Sequence, residues 1–136
     1  MEMTYTIGEI DKIAAQLLSQ FGNQPIWAFY APMGAGKTTL IARICKQMGI
    51  TDAVSSPTFS IMNEYDAQGK MVYHMDWYRL ADEAEARRTG VEAAMEEAAI
   101  CFIEWPEKAP ALLPADHIHI QIEILDPELR RIIITS

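Results

Sequence analysis

Cysteine and histidine are both scarce, at two and three residues. Cys45 and Cys101 each lie inside an apolar run, outside any Cys-x-x-Cys or Cys/His spacing, which speaks against a zinc site and a redox pair. Both are expected as small core residues. His117 and His119 stand at strand spacing, on one face of a sheet, and His74 is remote from them in sequence. With so few partners, a metal centre built on histidine is not expected. Positive charge is also in short supply: 11 Lys and Arg face 19 Asp and Glu, for a formal net charge of −8. The imbalance concentrates between Asp82 and Glu107, where acids outnumber Arg87 and Arg88. A surface of that sign repels phosphate backbones, so strong direct nucleic-acid binding is not expected. Any nucleic acid in this protein's work would be held by another protein. No uninterrupted apolar stretch approaches the roughly 20 residues of a membrane span, and the first residues show no basic start followed by an apolar run. The expectation is a soluble, cytoplasmic protein without membrane contact.

What the chain does have is apolar content, 50% of 136 residues, enough for one compact core and too little for two ordinary domains. Residues 1–136 are therefore read as a single domain. Thr6-Ile7-Gly8-Glu9 has capping-box form, and Ile7, Ile10, Ile13, Leu17 and Leu18 follow at helical spacing to about Phe21. Residues 25–30 are continuously apolar, as a buried strand is. Past a glycine-containing loop, Leu40, Ile41, Ile44, Cys45 and Met48 mark one face of a second helix, which stops at Gly49. Residues 58–65 and 71–76 read as two strands of a hairpin joined through Asp66-Ala67-Gln68-Gly69. Two short helices are expected within 80–98, interrupted at Thr89-Gly90. Residues 100–103 form another buried strand, and 118–125 and 131–135 alternate around an Asp126-Pro127-Glu128 turn. Strands interleaved with helices make the chain α/β.

The segment Ala31-Pro32-Met33-Gly34-Ala35-Gly36-Lys37-Thr38 sits between the first buried strand and the second helix. A phosphate-binding loop needs amides pointing inward around an anion, glycines where a Cβ would block the turn, and a helix whose amino terminus lends positive charge. Gly34 and Gly36 permit the tight backbone, Lys37 bridges β- and γ-phosphates as a point charge, and the Thr38 hydroxyl suits magnesium. The strict pattern begins with glycine; Ala31 in its place is tolerable if φ there stays negative. Magnesium also calls for carboxylates at the ends of neighbouring strands, and two strands end in acids, Asp76 and Glu104. One would hold the metal's hydration shell and the other orient an attacking water; spacing alone does not say which. Ser56-Pro57-Thr58 falls where such proteins often place a γ-phosphate sensor, and equally where a plain turn would begin a strand. Trp105 follows Glu104 directly, so its ring lies beside the nucleotide or in the core.

Four motifs in order carry a family resemblance: Gly34-Ala35-Gly36-Lys37-Thr38-Thr39, Ser56-Pro57-Thr58-Phe59, His74-Met75-Asp76-Trp77-Tyr78-Arg79-Leu80 and Glu104-Trp105-Pro106-Glu107. Together they resemble the TsaE (YjeE) family, bacterial P-loop ATPases of tRNA threonylcarbamoyladenosine synthesis, over nearly the whole chain. The resemblance implies a P-loop NTPase-like domain with a mostly parallel sheet between helices, to which the residues add an antiparallel hairpin. It implies weak hydrolysis of ATP with Mg2+ that matters only beside partners. Those partners are TsaD, which transfers threonylcarbamoyl to the adenosine next to the anticodon, and its companion TsaB. By the same resemblance Thr38 and Glu104 would ligate magnesium and Asp76 would be the strand-end acid near metal and γ-phosphate. Met33, Gly34, Ala35, Gly36, Lys37, Thr38, Thr39, Asp76 and Trp105 would contact the nucleotide, and Ser56, Pro57, Thr58 and Phe59 would form a switch. Ala31 and Trp77 depart from the family's usual Gly and Leu. Against a GTPase, Asn63-Glu64-Tyr65-Asp66 lacks the lysine of a guanine reader and precedes Asp76. Two alternatives stay open: a small-molecule kinase, whose basic lid would have to come from Arg79, Arg87 and Arg88, and a non-catalytic ATP-sensing module.

Overall fold

The structure, a computed structural model, describes residues 1–55, 57 and 61–136. Seven strands form one sheet: β1 (Glu2–Thr6), β2 (Ile26–Tyr30), β3 (Met62–Ala67), β4 (Lys70–Asp76), β5 (Ile100–Glu104), β6 (Ile118–Asp126) and β7 (Leu129–Thr135), in the order β1-β7-β6-β2-β5-β4-β3. The central strands β6, β2, β5 and β4 run parallel. Antiparallel pairs complete the sheet on both sides, β3 on β4 and the run β6-β7-β1. The helices are α1 (Ile10–Phe21), α2 (Lys37–Gln47), α3 (Glu83–Arg88) and α4 (Val91–Glu97). Among the described residues no helix is long and apolar enough to cross a membrane.

Period-two alternation sorts the strand residues onto two faces. Trp27 and Phe29 of β2, Val72 of β4 and Phe102 of β5 share one apolar layer with Ile13, Leu17, Leu40 and Ile44 of α1 and α2. Tyr73, Met75, Cys101 and Ile103 share the other with Val91, Ala94 and Met95 of α4. Because both faces of β2 and β5 are covered, these strands are buried almost throughout, β5 closing on Glu104, whereas β7 alternates. Trp27 meets Phe102 edge-on, ring centroids 5.3 Å apart. Both cysteines are buried, as expected.

Three local features depart from the expected layout. A strand, β1, precedes the first helix, and its pairing with β7 is tied off where the Met1 amino group donates to the Ile134 carbonyl at 3.0 Å. Next, Glu9 accepts from the Thr6 amide at 3.0 Å, and this box heads a 3-10 turn, Ile7–Glu9, that leads into α1. Finally, the β3–β4 loop shrinks to Gln68-Gly69, since Asp66 and Ala67 pair with Met71 and Lys70. Both loop residues have positive φ, 55° and 91°, the type I′ geometry whose twist matches that of the strands.

Candidate functional site

The loop between β2 and α2 lies at the carboxyl end of the parallel strands. Gly34 and Gly36 have φ of +81° and +92°, and a Cβ at either would meet nothing within 4 Å. Torsion therefore demands glycine here, while the space beside it stays open. Ala31 is tolerated as anticipated: among the described residues, the non-glycines with positive φ are Gln68 and Trp105. Lys37 opens α2 and is buried; its Nζ donates to the Ala31 carbonyl at 2.9 Å and lies 3.5 Å from the centre of the Trp105 ring. Burial holds its ammonium below the usual lysine range, an effect opposed by Glu104, Glu107 and Asp76.

The acids arrive by register. Asp76 sits opposite Glu104 in the β4–β5 ladder, and Glu104 opposite Phe29 in the β5–β2 ladder, so both carboxylates emerge on the face that carries α2. Their surroundings then differ. Glu104 is 3% exposed and accepts from the Thr38 hydroxyl at 2.9 and 3.1 Å. Its Oε2 also lies 2.6 Å from Nε2 of His74. A carboxylate has no proton to give, so Nε2 donates. His74 is wholly buried, and its Nδ1 has no hydrogen-bond partner among the described residues. Asp76 is half-buried, and its Oδ1 accepts from the Tyr78 amide at 3.0 Å. One acid is thus locked beneath the loop, and the other stands at the rim.

A cavity of about 350 Å³ brings the expected nucleotide residues together: residues 33–39, Asp76 and Trp105 line it, with Glu104 and Tyr78. Trp105, in left-handed backbone with φ 58°, tilts against Tyr78 with ring centroids 5.0 Å apart. It also packs on the second apolar layer, so its ring both lines the cavity and meets the core. Of the expected switch, Pro57 is buried; Ser56, Thr58 and Phe59 lie outside the described residues. Arg87 pairs with Glu92 at 3.6 Å, and neither it nor Arg88 lines the cavity. His119 stacks on Tyr30 at 4.0 Å. Sequence reasoning gave His74 and Tyr78 no role. The available signal for His74 was its place two residues before Asp76, which on a strand means the same face.

The donor set suits magnesium, with a hydroxyl and a carboxylate as hard oxygen ligands. No cluster of three or more His, Cys, Asp or Glu poised for a metal occurs among the described residues. Magnesium is commonly held by one or two carboxylates together with substrate phosphates, so this poor protein complement fits. The open cradle at Gly34 and Gly36 has room for those phosphates.

The profile of the family described as "Threonylcarbamoyl adenosine biosynthesis protein TsaE" matches residues 4–133. The tRNA threonylcarbamoyladenosine biosynthesis protein TsaE of Haemophilus influenzae is 42% identical over 94 residues, 69% of this chain and 60% of that protein. The matched stretch thus spans less than two thirds of the Haemophilus protein. The TsaE of Bacillus subtilis is 33% identical over 129 residues, 94% of this chain and 80% of its own length. The crystal structure of Bacillus subtilis YdiB superposes with a TM-score of 0.80 at 26% identity, covering 100% of this chain and 84% of that one.

Proposed function

This chain belongs to the TsaE family, whose work is tRNA threonylcarbamoyladenosine biosynthesis, and on that premise we propose that it binds ATP with Mg2+ at the phosphate loop and hydrolyses it slowly. We take the observation that carries this reading to be the Thr38–Glu104 pair, 2.9 Å apart in the cavity that residues 33–39 enclose. Thr38 and Glu104 would hold the metal, which when bound neutralises phosphate charge. Lys37 would exchange the Ala31 carbonyl and the Trp105 ring for phosphate oxygens, a trade of a neutral acceptor for charged ones. Asp76, at the rim and within reach of solvent, is the acid suited to orienting water; buried Glu104 is not. Slowness also has a reason. Among the described residues, Lys37 is the one cation lining the cavity, and transition-state charge in phosphoryl transfer commonly takes a second one, worth roughly 10³–10⁵ in rate.

The proposal extends to partners: ATP-bound and ADP-bound forms would engage a TsaB–TsaD complex unequally, and the difference would drive its turnover. The acidic surface supports leaving the tRNA to those partners. Reconstitution tests this directly. TsaB and TsaD, supplied with tRNA and threonylcarbamoyl donor, should turn over repeatedly only with this protein and ATP. Repeated turnover without it would refute the partner role. Product analysis showing a phosphorylated acceptor, instead of ADP and phosphate alone, would replace hydrolysis with a kinase reaction.

A further inference from the structure

Arg130 on β7 is, among the described residues, one of the few charged side chains that are buried, 9% exposed, and it reaches across the fold to the phosphate loop. Its Nε donates to the Ala35 carbonyl at 3.1 Å, bridging 95 positions in sequence. Its Nη1 is held by the β6–β7 turn, through the Asp126 carbonyl at 2.8 Å, the Leu129 carbonyl at 3.1 Å and the Pro127 carbonyl at 3.4 Å. All these acceptors are neutral. Among the described residues no carboxylate pairs with Arg130.

The Ala35 carbonyl and the Gly36 amide belong to one planar trans peptide, so they point in opposite directions. With the carbonyl bonded to Arg130, the Gly36 N–H is directed to the opposite side of the peptide. Both residues line the cavity, whereas Arg130 does not. That peptide needs a restraint, because Gly36 in left-handed backbone with no Cβ offers little resistance to a flip. A flip would present a carbonyl oxygen to the phosphates in place of a donor.

We propose that Arg130 is a positioning residue for the phosphate loop: it anchors the Ala35–Gly36 peptide so that the Gly36 N–H faces the nucleotide's phosphates. Its unneutralised charge adds to the positive potential at the start of α2. The inference rests on the nucleotide reading of the cavity. It also makes the β6–β7 turn, which contributes no lining residue, part of the apparatus that shapes the site.

The test compares ATP affinity, measured by calorimetry with Mg2+, in wild type and in Arg130→Met, Arg130→Lys and Arg131→Met. Arg130→Met should bind about tenfold more weakly or worse, as expected for loss of a charge-assisted contact. Arg130→Lys, which keeps charge without the rigid fork, should recover only part. Arg131→Met, on the half-buried neighbour that pairs with Glu123 at 3.3 Å and does not line the cavity, should stay within about twofold of wild type. Millimolar methylguanidinium should restore affinity to Arg130→Gly, a rescue that a purely structural role would not give. A folded Arg130→Met variant with wild-type affinity overturns the proposal. Where the variants fail to fold, amide spectra of the wild-type protein decide. Arg130 Nε–H should be protected from solvent exchange, and the Gly36 amide should move on ATP addition. An unprotected Nε–H, or a Gly36 amide that stays put while other loop amides move, refutes the role. If no loop amide moves, the nucleotide reading itself fails, and this inference falls with it.

Discussion

Replacing His74 with leucine should leave the fold nearly as stable as before while weakening the magnesium binding proposed above. The substitution removes the Nε2 contact to Glu104 at 2.6 Å, and a hydrogen bond to a charged group contributes about 1.5–3 kcal/mol. It also removes Nδ1, a buried nitrogen with no partner among the described residues, whose desolvation costs about 1–3 kcal/mol. Leucine fills a similar volume with apolar atoms in a wholly buried position. The two contributions nearly cancel, so the net change should be about 1 kcal/mol, roughly 4 °C in Tm for a chain of this size. Function does not share that cancellation. Glu104 keeps Thr38 but loses the donor that fixes its second contact, and removing the partner that orients a metal ligand typically costs about 10–100-fold in affinity or activity. Thermal unfolding followed by circular dichroism measures the first effect, and magnesium titration of ATP binding by calorimetry measures the second. His74→Gln, which keeps a side-chain N–H, should fall between. A drop in Tm beyond about 10 °C, or a magnesium dependence identical to wild type, would refute the reasoning.

Lys37→Ala should lower ATP affinity by about a hundredfold, the loss of two charge-assisted contacts; calorimetry giving wild-type affinity for the folded variant would disprove it. Because burial holds Lys37 below the usual 10.5, ATP affinity measured by calorimetry across a pH series should begin to fall at a lower pH than it would for an exposed lysine. Trp105 emission should change on ATP addition, since Lys37 lies 3.5 Å from its ring and would be drawn to the phosphates; an unchanged spectrum at saturating ATP would sink that expectation. Asp76→Ala should slow hydrolysis by about tenfold or more with little effect on affinity, and equal loss of both would move Asp76 from chemistry to binding. Burial pushes both thiols up to about 12, so neither Cys45 nor Cys101 should react with Ellman's reagent at pH 8 until the protein unfolds.

What could be read from the residues was whatever depends on near neighbours in sequence. The phosphate loop was legible because strand, glycines, lysine and hydroxyl follow one another, and the two acids because each closes an apolar run. The helices within 80–98 were legible from Gly90, which has φ 86° and separates α3 from α4. Partnerships across the sheet were not. Nothing local says that β1 lies beside β7, because a short strand acquires its meaning from the neighbour it pairs with. The His74–Glu104 contact needed the β4–β5 register, and Arg130 fell just outside the alternating run expected at 131–135, with nothing local to point it at the loop. Which of Asp76 and Glu104 would be the more deeply buried stayed open for the same reason, since Glu104 is covered by α2 and Thr38 while Asp76 is only half-buried.

The pairing of β1 with β7 has a mechanical consequence. Both ends of the chain lie side by side at the edge of the sheet remote from the phosphate loop, where Met1 is bonded to Ile134. Force applied between the two ends would load that ladder one rung at a time, from Glu2 against Ile133 toward Thr6 against Leu129, as a zipper opens, instead of shearing all its bonds at once. The molecule should therefore yield at low tension by peeling β1, with the parallel strands that carry the loop still assembled. A tether at either end would hold the protein by its back and leave the cavity facing outward.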